Sequence, residues 1–367
     1  MVAMVIGMLA VIVMFQMFSN SEAQKRSTTG AGDAQASANI ALVTLKSDIR
    51  GAGYGFIAPS TNANMSPVGC KLTGQIKLPG QPSAVTVALP ILAPLLIINR
   101  ENTSDPLLLS LVGDDNTDTL LVVAGNSAAS QDGAGILSKG GTGYGVRSSV
   151  SVLKDEWVLP VLKPQNAGEA CRADQAVVLQ QVGPLVGEDV NRTFVPILGT
   201  TDTVLGTAAL YDLGMSPHAR AYRVKGEQLK SCDFFLADCS DESKWDTLAS
   251  DVVSLRAEYR QADGSFSQEP PTSNYCGWSS ILGVRLVLVV RNSQFEKTVV
   301  TTDDKATDPS AALAPVWSGS AAIDLSANTQ WKHYRYITLE SAVPIRNQVW
   351  AGVRPSGCPE PTPPAAP

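Results

Sequence analysis

The chain has 367 residues, 44% hydrophobic and 17% charged, with a formal net charge of −6 and a pI near 5.1. That length accommodates two average domains or one large β-rich one, and it suffices to bury a core. The acidic balance argues against a nucleic-acid surface, and with only His218 and His333 present, histidine-rich zinc sites are excluded.

The chain opens on MVAMVIGMLAVIVMFQMFS, which carries no charge and no proline up to Phe18, and only Gln16 as a polar side chain. At 1.5 Å per residue this segment forms roughly 27 Å of helix, close to the thickness of a bilayer core. Five of the seven methionines lie at positions 1, 4, 8, 14 and 17, an adaptable packing surface. A cleavable signal peptide is the competing reading, with Ser21-Glu22-Ala23 as a weak cleavage site, but the basic n-region is absent. Lys25 and Arg26 follow the span, which by charge bias alone places the bulk of the chain in the cytoplasm. The cysteines point the other way and carry more weight.

No proline interrupts the chain until Pro59. Ala38, Leu42, Leu45 and Ile49 recur at spacings of four, three and four, an apolar stripe that predicts helix packing onto a head. Between the two apolar parts lies SNSEAQKRSTTGAGDAQASAN, polar, with Gly30 and Gly32 expected as a soft point. Downstream, AVTVAL (84–89), LLII (95–98), TLLVV (119–123), AVVLQQV (176–182), VSLRAEY (253–259) and VRLVLVV (284–290) read as strands bounded by turn residues. The near-continuous apolar run of the last predicts a central strand. Val224-Lys225-Gly226-Glu227 predicts a hairpin turn, and the glycine-rich stretch 132–145 a surface loop. Residues 358–367 are proline-rich and predicted to be extended or disordered.

Enzymatic signatures are weak. The stretch 135–142, GILSKGGT, has glycines at Walker-A spacing but Gly141 where the phosphate lysine belongs. No G-x-S-x-G elbow is present. His333 lies in an alternating, strand-like WKHYRY, and His218 follows a proline in an expected loop. Asp114, Asn116 and Asp118 stand at alternate positions, as calcium loops begin, yet Thr119 and Gly125 replace the required glycine and glutamate. Asp303, Asp304 and Asp308 form a second acidic loop. A polar turn is the favoured reading of both, and no cofactor is expected. The six cysteines, Cys70, Cys171, Cys232, Cys239, Cys276 and Cys358, imply up to three disulfides, of which Cys232–Cys239 is assigned by proximity and the other pairings stay open.

The run MVAMVIGMLA, followed by an amphipathic stretch ending SDIRGAGYGF, resembles type IV pilins and pseudopilins, in particular large minor pilins of the PilW type. Further likeness lies in Asp118 through Val123, Tyr222 through Gly226, Trp278 through Asn292, and Tyr334 through Asn347. The family's processing glycine, methylated phenylalanine and early glutamate would precede Met1, so none can be placed on a residue here. The resemblance implies an α+β fold, with a long N-terminal pilin helix packed on a large antiparallel β-rich head. The expected division is residues 1–53 as helix (1–19 transmembrane or filament core, 20–53 amphipathic), 54–357 as head and 358–367 as tail. Val2, Ile6, Leu9, Val13, Phe15 and Phe18 would form the membrane and filament-core face, and Ala38, Leu42, Leu45 and Ile49 the helix–head packing. It further implies a non-enzymatic minor pilin that primes pilus assembly near the fibre tip and supports adhesin display, adhesion and twitching motility. Expected partners are the major and other minor pilins through the helix, a tip adhesin, the inner membrane before assembly and a prepilin peptidase, with no nucleic acid. The expected location is the bacterial inner membrane, as a single pass with a periplasmic head, and then the extracellular pilus. Alternatives are a type II secretion pseudopilin, or a single-span periplasmic enzyme or carbohydrate-binding module using the six scattered tryptophans.

Overall fold

The computed structural model describes residues 2–57, 66–128, 133–147, 152–162, 176–184, 193–199, 207–271, 275–317 and 322–351. The first element, α1 (Val2–Gly51), is a continuous helix of 50 residues, about 75 Å long at 1.5 Å per residue. The expected soft point is corrected, because the helix runs unbroken across Gly30 and Gly32. Gly30 serves close approach instead: a Cβ there would stand 2.4 Å from Asn292 Oδ1. The helix stops where Gly53 turns left-handed (φ +77°) and donates to Val123 O at 2.8 Å. The Asn347 amide caps it, donating to Gly51 O at 3.0 Å and Ala52 O at 2.9 Å.

Among the described residues, three sheets make up most of the head. The largest joins β1 (Lys71–Ile76), β2 (Val85–Leu89), β5 (Ala134–Gly140), β6 (Gly143–Val146), β7 (Trp157–Leu162), β8 (Ala176–Gln181), β9 (Phe194–Pro196) and β10 (Thr207–Gly214) in the order β2-β1-β8-β7-β10-β5-β6-β9. The second comprises β3 (Leu95–Ile98), β4 (Thr119–Ala124), β11 (His218–Val224), β12 (Gln228–Asp233) and β13 (Asp246–Ser250), ordered β13-β12-β11-β4-β3. In the third, β14 (Val252–Gln261) and β16 (Ile281–Arg291) are central, flanked by β15 (Phe266–Ser267) and β19 (Tyr336–Pro344). A small parallel pair, β17 (Thr301–Thr302) and β18 (Ala312–Leu313), lies outside them.

Period-two patterning explains the layers. Along β16, Val284, Leu286, Leu288 and Val290 enter the main core with Leu45 and Ile49 of α1, while Val287 and Val289 enter a smaller core with Trp317, Ile323 and Leu325. Along β7, Trp157, Leu159 and Val161 face the main core, and Val158 faces a third cluster around Tyr144, Val146 and Val195. Lys225 and Gln228 exchange backbone hydrogen bonds, and Gly226 and Glu227 both have φ +59°, so β11 and β12 close a two-residue hairpin.

Four expectations need correction. An α+β pilin fold with one antiparallel head does not describe this β-rich architecture: β1 pairs in parallel with β8, which makes the largest sheet mixed, and the head is divided among several sheets. Apart from α1, the described helical segments are short, three to six residues each, including α2 (Pro106–Leu111), α3 (Tyr275–Ser279) and α4 (Arg346–Ala351). The single-pass inner-membrane placement also falls, since among the described residues no helix is long and apolar enough to cross a membrane. The described part of the glycine-rich stretch is a hairpin, β5–β6, held because Tyr144 and Val146 are buried. Finally, His333 sits in a short 3-10 segment rather than a strand, and His218 begins β11 rather than lying in a solvated loop. The tail 358–367 lies outside the described residues.

Candidate assembly surface

The N-terminal part of α1 is apolar on every side. Met4, Ile6, Met8, Leu9, Val11, Ile12, Val13, Met14, Phe15, Met17 and Phe18 are all exposed, with Phe15 at 72% and Phe18 at 74%. The side chain of Val2 lies outside the described residues. With no polar face to set against water, this helix leaves a continuous apolar surface far larger than isolated apolar side chains produce.

Burial begins at Ala34 and deepens along one face. Ala38, Ala41, Leu42, Leu45 and Ile49 are buried, whereas Ile40 and Val43 on the outer face stay exposed. The contacts run mainly to β19, β13, β16, α4 and β4. A polar weld fixes the C-terminal end. Asp48 accepts from Arg220 Nη1 at 2.7 Å and from the Tyr222 hydroxyl, and Arg220 Nη2 stands 4.0 Å from Asp233. Burial, and then the Asp48 carboxylate, push the Tyr222 phenol up. Burial opposes the Arg220 charge, but the Tyr222 hydroxyl, Asp48 and Asp233 outweigh it and raise the guanidinium. Burial also lowers the nearby His218 imidazole, against the pull of Asp233, and its Nε2 is enclosed and unpartnered among the described residues. One unbroken helix, anchored at its C-terminal end, therefore leaves the head.

The weld is the part that sequence reasoning missed. Its signal was available: Arg220 and Tyr222 alternate on one face of β11, and Asp48 lies one helical turn beyond Leu45.

The calcium candidates are not brought together. Asp114 accepts from Gly226 N at 2.8 Å, and Asn116 donates to Asp324 at 2.9 Å. Asp118 turns inward, accepting from Ala257 N at 2.8 Å and lying 3.4 Å from Arg256 Nε. Burial raises its carboxyl, against the Arg256 charge and the Ala257 hydrogen bond. Asp303 instead meets Lys332 at 2.9 Å, and Asp304 is capped by Ala306 N and the Thr307 hydroxyl. Among the described residues no group of three metal-ligating side chains forms.

Cys232 and Cys239 are bonded, with Cα atoms 5.9 Å apart. Cys70 and Cys276 are also in disulfides, while Cys171 and Cys358 lie outside the described residues. Trp157, Trp245, Trp278 and Trp317 are buried and so supply no sugar-stacking platform.

Comparison with protein-family models, with curated proteins and with solved structures found no match for this chain.

Proposed function

We propose that this protein is a minor subunit of a type IV pilus-type fibre, priming its assembly and standing at or near the tip, where it supports an adhesin. The observation that carries the reading is α1: apolar all round and exposed over residues 6–18, then continuous into a stretch welded to a bulky head. Such a helix has a use when it packs against similar helices, because each then buries what the others expose. The likeness of MVAMVIGMLA and SDIRGAGYGF to pilin sequences supports the same reading. The head adds an argument from bulk, since a large subunit fits best where nothing stacks above it. In this role the chain catalyses no reaction, and its partners are the other helix-bearing subunits.

The test uses cells that carry the full chain. A cysteine placed at Leu9 is oxidised in sheared surface fibres, and the products are identified by mass spectrometry. Cross-links to the apolar helices of other fibre subunits are expected, together with a loss of fibres when Phe15 is changed to Asp. A chain missing from sheared fibres, whose deletion leaves fibre number unchanged, would overturn the reading.

A further inference from the structure

Among the described residues, the outer strands of the three sheets are blunted, with one exception. β2 has five residues and stops at Pro90, and β9 and β15 have three and two. β3 is buried along its whole length, and its Ile97 N donates to the Tyr259 hydroxyl at 2.7 Å. β13 has five residues, pairs irregularly with β12 and lies against α1. β19 has none of these protections. It pairs with β16 over nine residues in unbroken register, and no described strand lies on its other side.

Hydrogen bonds at the two ends of this ladder fix which backbone groups point outwards. Ile345 N donates to Leu282 O at 3.0 Å, and Asn292 N donates to Arg335 O at 2.8 Å. In antiparallel pairing, residues bonded in this way alternate with residues whose N–H and C=O face away. The odd-numbered positions of β19 therefore bond β16. Thr338 and Ala342 aim their N–H and C=O groups off the sheet, where no described residue meets them. The two faces of the strand also differ. Ile337, Leu339 and Val343 pack in the main core on the side of α1, whereas Glu340, Ala342 and Pro344 are exposed on the opposite face.

We propose that β19 receives an extended segment of a different helix-bearing subunit as an added strand, an inference that rests on the fibre role above. The segment hydrogen-bonds Thr338 and Ala342, and it alternates apolar residues beside Leu339 with polar residues beside Glu340. Because α1 lies against β19, subunits whose helices pack side by side bring a neighbouring head to this edge. A second copy of this chain does not fit. Antiparallel pairing of two β19 strands needs a two-fold axis perpendicular to the sheet, which makes the two α1 helices run in opposite directions. Parallel pairing needs an axis along the strands, which sets the two helices on opposite faces of the joined sheet. In neither arrangement do the two apolar segments meet in one bundle.

The test places a photoreactive benzophenone side chain at Ala342 of the full chain in cells, irradiates sheared fibres and maps the adducts by mass spectrometry. Adducts on one extended segment of another helix-bearing subunit are expected, with a yield that falls roughly tenfold or more in Thr338→Pro. That proline deletes an outward N–H and leaves the β16 ladder whole, so the variant should melt within a few degrees of the wild type. If the variant fails to fold, hydrogen exchange decides: the Thr338 and Ala342 amides should exchange roughly tenfold or more slowly in fibres than in the detergent-solubilised chain. Adducts confined to a second copy or to this chain itself, no adducts, or equal exchange in the two states would overturn the strand addition. Where the Leu9 cross-links are still found, such a result removes the added strand and leaves the fibre role standing. Where they are missing too, both fall.

Discussion

At the residue scale, the charged side chains of this head act as struts. Arg223 is buried on β11, with its guanidinium 3.7 Å above the Trp245 ring and one arm on Glu242. Glu242 also accepts from Lys225 and Lys230, each at 2.9 Å. Partial burial pushes the Glu242 carboxyl up, but the two lysine hydrogen bonds and the Arg223 charge outweigh it and hold it down at about 2. The folded state therefore binds this proton more weakly than the unfolded state, and the stabilisation is present above about pH 4.5 and lost as pH falls towards 2. Glu242→Gln should destabilise by on the order of 1 kcal/mol at pH 7, a modest figure because nearly half of this side chain is in water. Thermal melts at pH 7 and pH 3 check this, and the gap between variant and wild type should narrow at the lower pH. A gap that widens on acidification would mean that Glu242 does not anchor the buried cation. Asp118 belongs to the same class. Its sequence spacing suggests a calcium ligand, but its carboxylate joins β4 to β14 through Ala257 N and Arg256.

At the scale of elements, α1 changes character twice without breaking. Its middle is polar, and its last third presents Leu45 to the core while Val43 faces water. Leu45→Ala should cost about 2–5 kcal/mol, since the cavity lies between α1 and the sheets. Val43→Ala should stay within about 0.5 kcal/mol, as expected for an exposed site. Chemical denaturation of the two variants measures both, and equal losses would contradict the packing face. This face was legible because a single helix buries residues at a fixed period, and so were the long strands β14 and β16, whose β-branched runs need no distant partner to be noticed. The β5–β6 hairpin was not legible, since glycines that read as loop in isolation become strand when Tyr144 and Val146 find a buried face. The helix weld was legible only in its halves: Arg220 and Tyr222 share one face of β11, but their pairing with Asp48 joins side chains more than 170 positions apart. His333 illustrates the same limit: its alternating neighbours suggest a strand, but its ring stacks on Phe295 at 5.0 Å and its Nδ1 lies 2.8 Å from Glu296 O.

At the scale of the whole molecule, the two parts of α1 have opposite relations to the head. Described residues before Gly30 bury nothing in the core, and the first core residue is Ala34. The stability of the head is therefore independent of the apolar segment, while the solubility of the chain is governed by it. Removing residues 1–28 keeps Gly30 against Asn292 and leaves every buried α1 side chain in place. The truncated chain should melt within a few degrees of the full one, retain its near-ultraviolet circular dichroism and run as a monomer in light scattering. The full chain should self-associate in the absence of detergent, because water cannot accommodate a rod with Leu9, Phe15 and Phe18 exposed on different sides. A truncated chain that unfolds would show that residues 1–28 support the head after all. A full chain that stays monomeric without detergent would remove the physical case for assembly through α1, since nothing would then need to cover its apolar surface.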